Sequence, residues 1–224
     1  VFLNLRAKKD RYGPTLIYAT ATLQPLDEIR PVDHCLEFCE LFIQHRWRLA
    51  PLTTADVNRF VREAGDRAGV AVEASDADFL HLWTGGHPGL LTAAAQVLFD
   101  ALRREGPDAD HWLVQRKVAP LLRDDPTLVR EAQKIWQNCS PEEKSALLAL
   151  FGGQAADPDV LPRLRERHIL LCVEGKEQSF SRLFALFVQG KQAQNQPAAT
   201  GLWVDSDSGE VLVDGQPVET LTKL

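Results

Sequence analysis

The chain has 224 residues, of which 45% are hydrophobic, and a formal net charge of −6 at pH 7. This length can bury a sizeable core divided among two or three small domains, and the mildly acidic balance excludes a global basic field that would attract nucleic acid or anionic membranes. No apolar run approaches the ~20 residues of a membrane span, and no signal peptide opens the sequence.

Both ends of the sequence read like the interior of secondary-structure elements. There is no methionine, even at position 1, and Val1-Phe2-Leu3 continues directly into a helical pattern. We therefore expect an internal piece of a longer parent protein. The four cysteines are scattered without a disulfide framework, which favours the reducing cytoplasm.

The first fifty residues predict two helices and one strand. A helical pattern over Phe2–Arg11 is interrupted by Tyr12-Gly13-Pro14, and Thr15–Thr20, apolar and partly β-branched, predicts a short buried strand. Asp33–Gln44 predicts a helix, which an extended stretch over Arg46–Pro51 follows.

Two capping signals predict the next helices. Thr53-x-x-Asp56 has the form of a capping box, and Ser75-x-x-Asp78 repeats the signal. Apolar residues follow the first signal at helical spacing, namely Val57, Phe60, Val61, Ala64 and Ala68. Phe79, Leu80 and Trp83 follow the second.

The stretch Thr84-Gly85-Gly86-His87-Pro88-Gly89-Leu90-Leu91 predicts a helix joint. The two glycines follow the helical run Asp76–Trp83, where they can end it in a left-handed cap. Pro88 can begin the next helix, because the first turn needs no amide hydrogen there. Leu90–Leu102 is apolar on almost every side, which predicts a central helix. Further helices are predicted over His111–Leu122 and Thr127–Trp136.

A second helical unit is predicted from Ser140 onward. Ser140-Pro141-Glu142-Glu143 combines an N-cap, a first-turn proline and a reciprocal glutamate, and its helix ends at Gly152-Gly153. A short helix, a hairpin and a closing helix follow, over Asp157–His168, Ile169–Val173 with Gln178–Phe180, and Ser181–Gln189. This is the element order of a winged helix.

The C-terminal part predicts a polar linker and a small sheet. Gly190–Thr200 lacks periodicity, and three short alternating strands follow over Gly201–Asp205, Glu210–Asp214 and Gln216–Glu219. The predicted fold class is therefore mainly α, with a helical bundle, a winged helix and a C-terminal antiparallel β-meander.

Three features in this order resemble STAND/AAA-type ATPases. Leu16–Thr22 with Pro25-Leu26 resembles the sensor-1 strand, and Leu49-Ala50-Pro51-Leu52-Thr53-Thr54 resembles the step into the helical lid. Gly85–Leu91 resembles the Gly-x-Pro lid joint, whose proline packs near adenine in that family. Phe180–Val188 resembles the closing helix of the winged helix that follows such lids.

This resemblance implies a division of the chain. Residues 1–52 would be a remnant of the ATPase α/β core, 53–128 the helical lid, 129–189 the winged helix and 190–200 a linker. Residues 201–224 resemble the start of the N-terminal sheet of OmpR/PhoB-type output domains, and the sequence stops before the DNA-binding helix of that class.

The resemblance also implies ATP with Mg²⁺ as the cofactor of the parent protein. The residues near nucleotide would be Thr20, Thr22, Gly86, His87 and Pro88. The chain has no Gly-x-x-x-x-Gly-Lys-Ser/Thr (Walker A) and no acidic strand end (Walker B) before the sensor-like strand. Whether or not the parent is an ATPase, we expect this chain alone to bind no cofactor and to hydrolyse no ATP.

Two clusters offer other chemistry. Arg163, Arg165 and Arg167, on the second predicted winged-helix helix, are candidate DNA contacts, but nearby acidic residues favour a solvated face. His34, Cys35, Cys39 and His45 could suggest a metal site, but buried free cysteines are favoured and no metal is expected. Trp83, Trp112 and Trp136 are expected in the core.

The function that these features favour is that of a nucleotide-state relay in a STAND-type signalling ATPase that controls transcription by binding DNA. Its partners would be a missing P-loop domain of the same chain, DNA through a missing C-terminal output domain, and further copies in a homo-oligomer. Two alternatives stay open, a winged-helix DNA-binding regulator independent of ATP and a protein-interaction scaffold.

Overall fold

The computed structural model describes residues 2–22, 38–45 and 48–195, together with three short strands between 202 and 217. The chain forms two compact units, residues 1–50 and 51–224. The described residues are mainly helical, as predicted. None of the helices among them combines the length and the apolar character that a membrane span requires.

The first unit contains helix α1 (Phe2–Tyr12) and two 3-10 helices, Gly13–Thr15 and Glu40–His45. The predicted buried strand Thr15–Thr20 is wrong, because residues 16–22 have no regular structure and Ile17 is 83% exposed. A strand needs a neighbouring strand to bond its backbone, and the described part of this unit offers none. Residues 23–37 and 46–47 lie outside the described residues, and with them the first five residues of the predicted helix Asp33–Gln44. The remainder of that prediction, residues 38–44, is helical and falls mostly in the 3-10 helix Glu40–His45.

The second unit is a helical bundle. Its described helices are α2 (Thr54–Ala68), α3 (Ala74–Thr84), α4 (Pro88–Glu105), α5 (His111–Asp124), α6 (Pro126–Gln137), α7 (Pro141–Phe151), α8 (Leu161–Glu166) and α9 (Arg182–Asn195). The predicted capping box of α2 is confirmed, since the Thr53 hydroxyl accepts from the Asp56 amide and the Asp56 carboxylate accepts from the Thr53 amide. The box that starts α7, between Ser140 and Glu143, is confirmed as well.

Helix α3 begins earlier than predicted. The predicted box Ser75-x-x-Asp78 is wrong, because it is the Asp76 carboxylate that accepts from the Glu73 amide, at 2.9 Å. Asp76 is fully buried and also accepts from the Gln115 side chain at 2.8 Å. His111 Nδ1 lies 2.7 Å from the same carboxylate. These contacts with α5 favour Asp76 over the exposed Asp78 as the capping carboxylate.

Helix α4 is central, as predicted. Its buried side chains are Leu90, Leu91, Ala94, Ala95, Leu98, Phe99 and Leu102. One apolar core extends from Val57 of α2 to Phe184 and Val188 of α9, so the predicted lid and winged helix share a core. Trp83 belongs to this core and Trp136 packs against it, but the prediction for Trp112 is wrong, since that side chain is 60% exposed.

The predicted winged-helix order is confirmed. Strands β1 (Leu170–Val173) and β2 (Lys176–Ser179) pair antiparallel between α8 and α9, with Leu170 opposite Ser179. The turn is tighter than predicted, with only Glu174 and Gly175 between the strands, both at positive φ. Helix α8 is shorter than predicted, and α9 continues to Asn195, into the predicted linker.

The C-terminal meander is confirmed at the level of the backbone. Strands β3 (Leu202–Val204), β4 (Val211–Val213) and β5 (Gln216–Pro217) form an antiparallel sheet in the order β3-β4-β5. The predicted strands were each longer by a few residues.

Candidate functional site

The joint, residues 84–91, has the predicted stop-and-restart geometry. Gly85 ends α3 in the left-handed region at φ 59°, and its amide donates to the His81 carbonyl oxygen at 2.7 Å. Gly86 is also left-handed, at φ 72°. His87 is the N-cap of α4, and Pro88 occupies its first turn. Two successive left-handed residues are strained for any side chain but favourable for glycine.

Gly86 contacts the segment that leads into α2. The Leu52 amide donates to the Gly86 carbonyl oxygen at 2.9 Å. A β-carbon on Gly86 would come within 2.1 Å of the Leu52 carbonyl oxygen, which no side chain could tolerate. The segment that leads into α2 therefore lies directly against the joint.

Gly85 contacts the start of the closing helix α9. A β-carbon on Gly85 would come within 1.9 Å of the Phe180 carbonyl oxygen. Beside it, the buried Ser181 hydroxyl donates to the Trp83 carbonyl oxygen at 2.8 Å and accepts from the Phe184 amide at 3.2 Å. Ser181 thus caps α9 and ties it to the last turn of α3.

His87 is placed as a neutral cap. Its Nδ1 accepts from the Leu90 amide at 3.4 Å, and its ring centroid lies 6.1 Å from that of Phe180. Burial lowers the pKa of His87; the Glu131 carboxylate opposes this shift and the Lys134 ammonium adds to it. A neutral imidazole is the form that can accept the Leu90 hydrogen bond.

Glu131 of α6 lies against the first turn of α4. A β-carbon on Gly89 would meet the Glu131 Oε2 atom at 2.5 Å, and Glu131 also pairs with Lys134 at 2.6 Å. The partial positive charge at the start of α4 therefore faces a carboxylate of the same chain. Nothing in the sequence near Glu131 indicates this position, because it depends on the packing of α6 against α4.

The five predicted nucleotide neighbours fall in different units. Thr20 and Thr22 belong to the irregular, exposed stretch of the first unit. Gly86, His87 and Pro88 are brought together at the joint of the second unit. Their proximity to nucleotide stays a prediction.

The three candidate DNA-contacting arginines each face a carboxylate. Arg165 donates to Glu177 Oε1 at 2.9 Å, and this hydrogen bond raises the pKa of Arg165. Arg167 pairs with Glu143 and donates to the Asn138 carbonyl oxygen at 3.0 Å. Arg163 lies 4.0 Å from Glu143. These pairs join α7, α8 and β2, so the arginines contribute to the packing of the winged helix.

The described cysteines are free thiols. Cys39 and Cys139 are buried and Cys172 is exposed. Burial raises the pKa of Cys139 to about 11. Cys35 and His34 lie outside the described residues, and among those that the structure describes no group of three or more His, Cys, Asp or Glu side chains is placed to hold a metal ion.

Comparison of the chain with protein-family models, with curated proteins and with solved structures gave no match.

Proposed function

We propose that this chain relays the nucleotide state of a STAND-type signalling ATPase to an output domain that controls transcription by binding DNA. The observation that carries the proposal is that the joint touches two distant segments at once. The Gly86 carbonyl oxygen accepts a hydrogen bond from the Leu52 amide, where the chain enters the bundle. The backbone of Gly85 lies against that of Phe180, where the closing helix begins.

The contacts at the joint suit the transmission of small movements. A shift of the segment at Leu52 acts on Gly86 through a backbone hydrogen bond of 2.9 Å. Gly85 is the adjoining residue, and its backbone lies against Phe180 with no room for a side chain. Closely packed elements of this kind move together or rearrange as a unit. A movement in a nucleotide-binding domain could thus reach α9 across two residues.

The chemistry of the joint fits a neutral ligand group better than a phosphate. Glu131 already lies at the start of α4, and burial keeps His87 neutral. In the proposal, adenine would lie near His87 and Pro88, while a P-loop domain of the same parent chain would hold the phosphates and Mg²⁺. The free thiols Cys39 and Cys139 support a reducing, cytoplasmic location.

The alternative of direct DNA reading by the winged helix has less support. Each of its three arginines faces Glu143 or Glu177. A phosphate would have to compete with these carboxylates. If duplex DNA binds the chain and Arg163→Ala/Arg167→Ala weakens that binding at low salt, the alternative gains over the relay.

The relay is tested on the protein encoded by the full reading frame. Hydrogen exchange of the amides over residues 182–188 is measured with and without ATP, in the natural sequence and in Ser181→Ala. Ser145→Ala, which removes an exposed hydroxyl from α7, is the matched control. We expect ATP to change exchange in α9, and Ser181→Ala to reduce that change while ATP affinity stays constant.

Two results would count against the relay. One is ATP binding that leaves exchange in α9 unaltered. The other is a full-length protein that binds no ATP, which would favour the interaction scaffold.

A further inference from the structure

The exposed face of α5 carries two arginines that pair with no carboxylate in the part of the chain that the structure describes. Trp112, Arg116 and Arg123 stand at i, i+4 and i+11, so they share one side of the helix over about 16 Å. The Arg116 guanidinium lies 4.7 Å from the centre of the Trp112 ring. Among the described residues, neither Arg116 nor Arg123 lies within ion-pair distance of an acidic group.

The arginines of this face differ from those of the winged helix, which are paired with carboxylates. Glu143 forms ion pairs with Arg163 and Arg167 of the winged helix, and Glu177 forms one with Arg165. Lys117 of α5 itself forms an ion pair with Glu105. The unpaired cations of α5 therefore stand beside an exposed tryptophan in a chain of net charge −6.

The apolar component of this face is substantial. Trp112 is 60% and Leu113 46% exposed, and Pro120 lies on the same side. Proline has no amide hydrogen, so Pro120 also removes the helical donor of the Arg116 carbonyl oxygen. Exposed tryptophan next to arginine is the composition that dominates binding energy in protein interfaces.

We propose that this face, defined by Trp112, Leu113, Arg116, Pro120 and Arg123, docks an acidic segment of another protein that also carries apolar side chains. Charge complementarity calls for carboxylates opposite Arg116 and Arg123. Trp112 and Leu113 call for an apolar side chain of the partner opposite these two residues. Nucleic acid is less suited, because its affinity depends on many phosphate contacts and this face offers two arginines for them. The inference does not depend on the proposed relay.

The test uses the 224-residue chain and a synthetic helical peptide of about 14 residues, the length of α5, with glutamates on one side and leucine and phenylalanine on the other. A second peptide with every glutamate replaced by glutamine and a short DNA duplex are the comparison probes. Affinity is measured by fluorescence anisotropy of the labelled probe at low and at physiological salt.

The variants are Arg116→Glu/Arg123→Glu and Trp112→Ala. The matched control is Arg62→Glu/Arg130→Glu, which reverses the same charge at two exposed arginines on α2 and α6. All five positions are exposed, and circular dichroism verifies that each variant keeps its fold.

We expect the acidic peptide to bind the natural sequence. Each variant on the α5 face should lower the affinity for this peptide about tenfold, and the control pair should change the affinity by less than about twofold. Three results would overturn the proposal. The acidic peptide binds no better than its glutamine version, the control pair weakens binding as much as the α5 pair, or the DNA duplex binds more tightly than the peptide through the same two arginines.

Discussion

A β-carbon on Gly85 would lie 1.9 Å from the carbonyl oxygen of Phe180, a residue 95 positions further along the chain. The end of α3 and the start of α9 are therefore in backbone contact. Because Gly86 is held by Leu52 in the same way, two adjacent glycines join three segments of the bundle.

Gly85→Ala is expected to destabilise the protein more than Gly69→Ala. Both glycines end a helix in the left-handed region, at φ 59° and 65°, so both substitutions carry the backbone cost of about 1–2 kcal/mol. Only Gly85 is in contact with backbone, since a β-carbon on Gly69 would meet nothing within 4 Å. We expect at least about 2 kcal/mol of additional loss for Gly85→Ala in urea denaturation. Equal losses would contradict the close contact with Phe180.

Asp76→Ala is expected to lower the free energy of unfolding by about 3 kcal/mol, because it leaves several donors without their acceptor. The donors are the Glu73 amide, the Gln115 side chain and His111. Asp78→Ala, at the exposed carboxylate two residues on, is the matched control and should change stability by less than about 0.5 kcal/mol. A larger effect at Asp78 would restore Ser75-x-x-Asp78 as the capping box.

The stability of the protein is expected to fall on acidification in a way that depends on His87. Burial lowers the pKa of His87 below its ordinary value of 6.5, so the unfolded chain takes up a proton there at a higher pH than the folded chain. The free energy of unfolding contributed by His87 is therefore complete above pH 6.5 and decreases as the pH falls below it.

His87→Asn isolates this effect, because asparagine can still accept the Leu90 hydrogen bond as an N-cap but does not titrate. We expect the variant to lose less stability than the natural sequence between neutral pH and the acid range. Chemical denaturation at a series of pH values measures the difference. If the free energies of unfolding of the two proteins decrease equally with falling pH, protonation of His87 does not affect folding.

The described cysteines are expected to differ strongly in reactivity. Cys139 is buried, its pKa is about 11, and its thiol donates to the Ile135 carbonyl oxygen at 3.4 Å. Cys172 is exposed on β1. At pH 8, iodoacetamide should therefore label Cys172 well before Cys139, as followed by peptide mass spectrometry. Rapid labelling of Cys139 in the folded protein would contradict its burial.

The elements that could be predicted are those with local causes. The capping boxes at Thr53 and Ser140 and the restart at Pro88 depend on residues within one helical turn, and the structure confirms them. The winged-helix order follows from periodicity and turn residues in the same way. The error at Ser75 arose because two neighbouring acidic residues both suit a cap locally, and only contacts with α5 select Asp76.

The contacts of the joint could not be predicted, because they depend on packing across the chain. Nothing near Gly85 in sequence indicates Phe180, and nothing near Gly89 indicates Glu131. The strand predicted over Thr15–Thr20 failed for a similar reason, since an apolar pattern specifies a strand only when a partner strand is present. Trp112 was misassigned because composition favours burial of tryptophan, whereas its helix turns it outward.

The coupling of the joint to the closing helix is tested most directly by native-state hydrogen exchange of Phe184 and Ala185 in the 224-residue chain. Gly85→Ala should increase exchange of these amides, which lie in the first turn of α9, beyond the change expected from lower global stability. Gly69→Ala, brought to equal global stability with urea, should not. If the two variants exchange these amides at the same rate, the joint does not act on the winged helix.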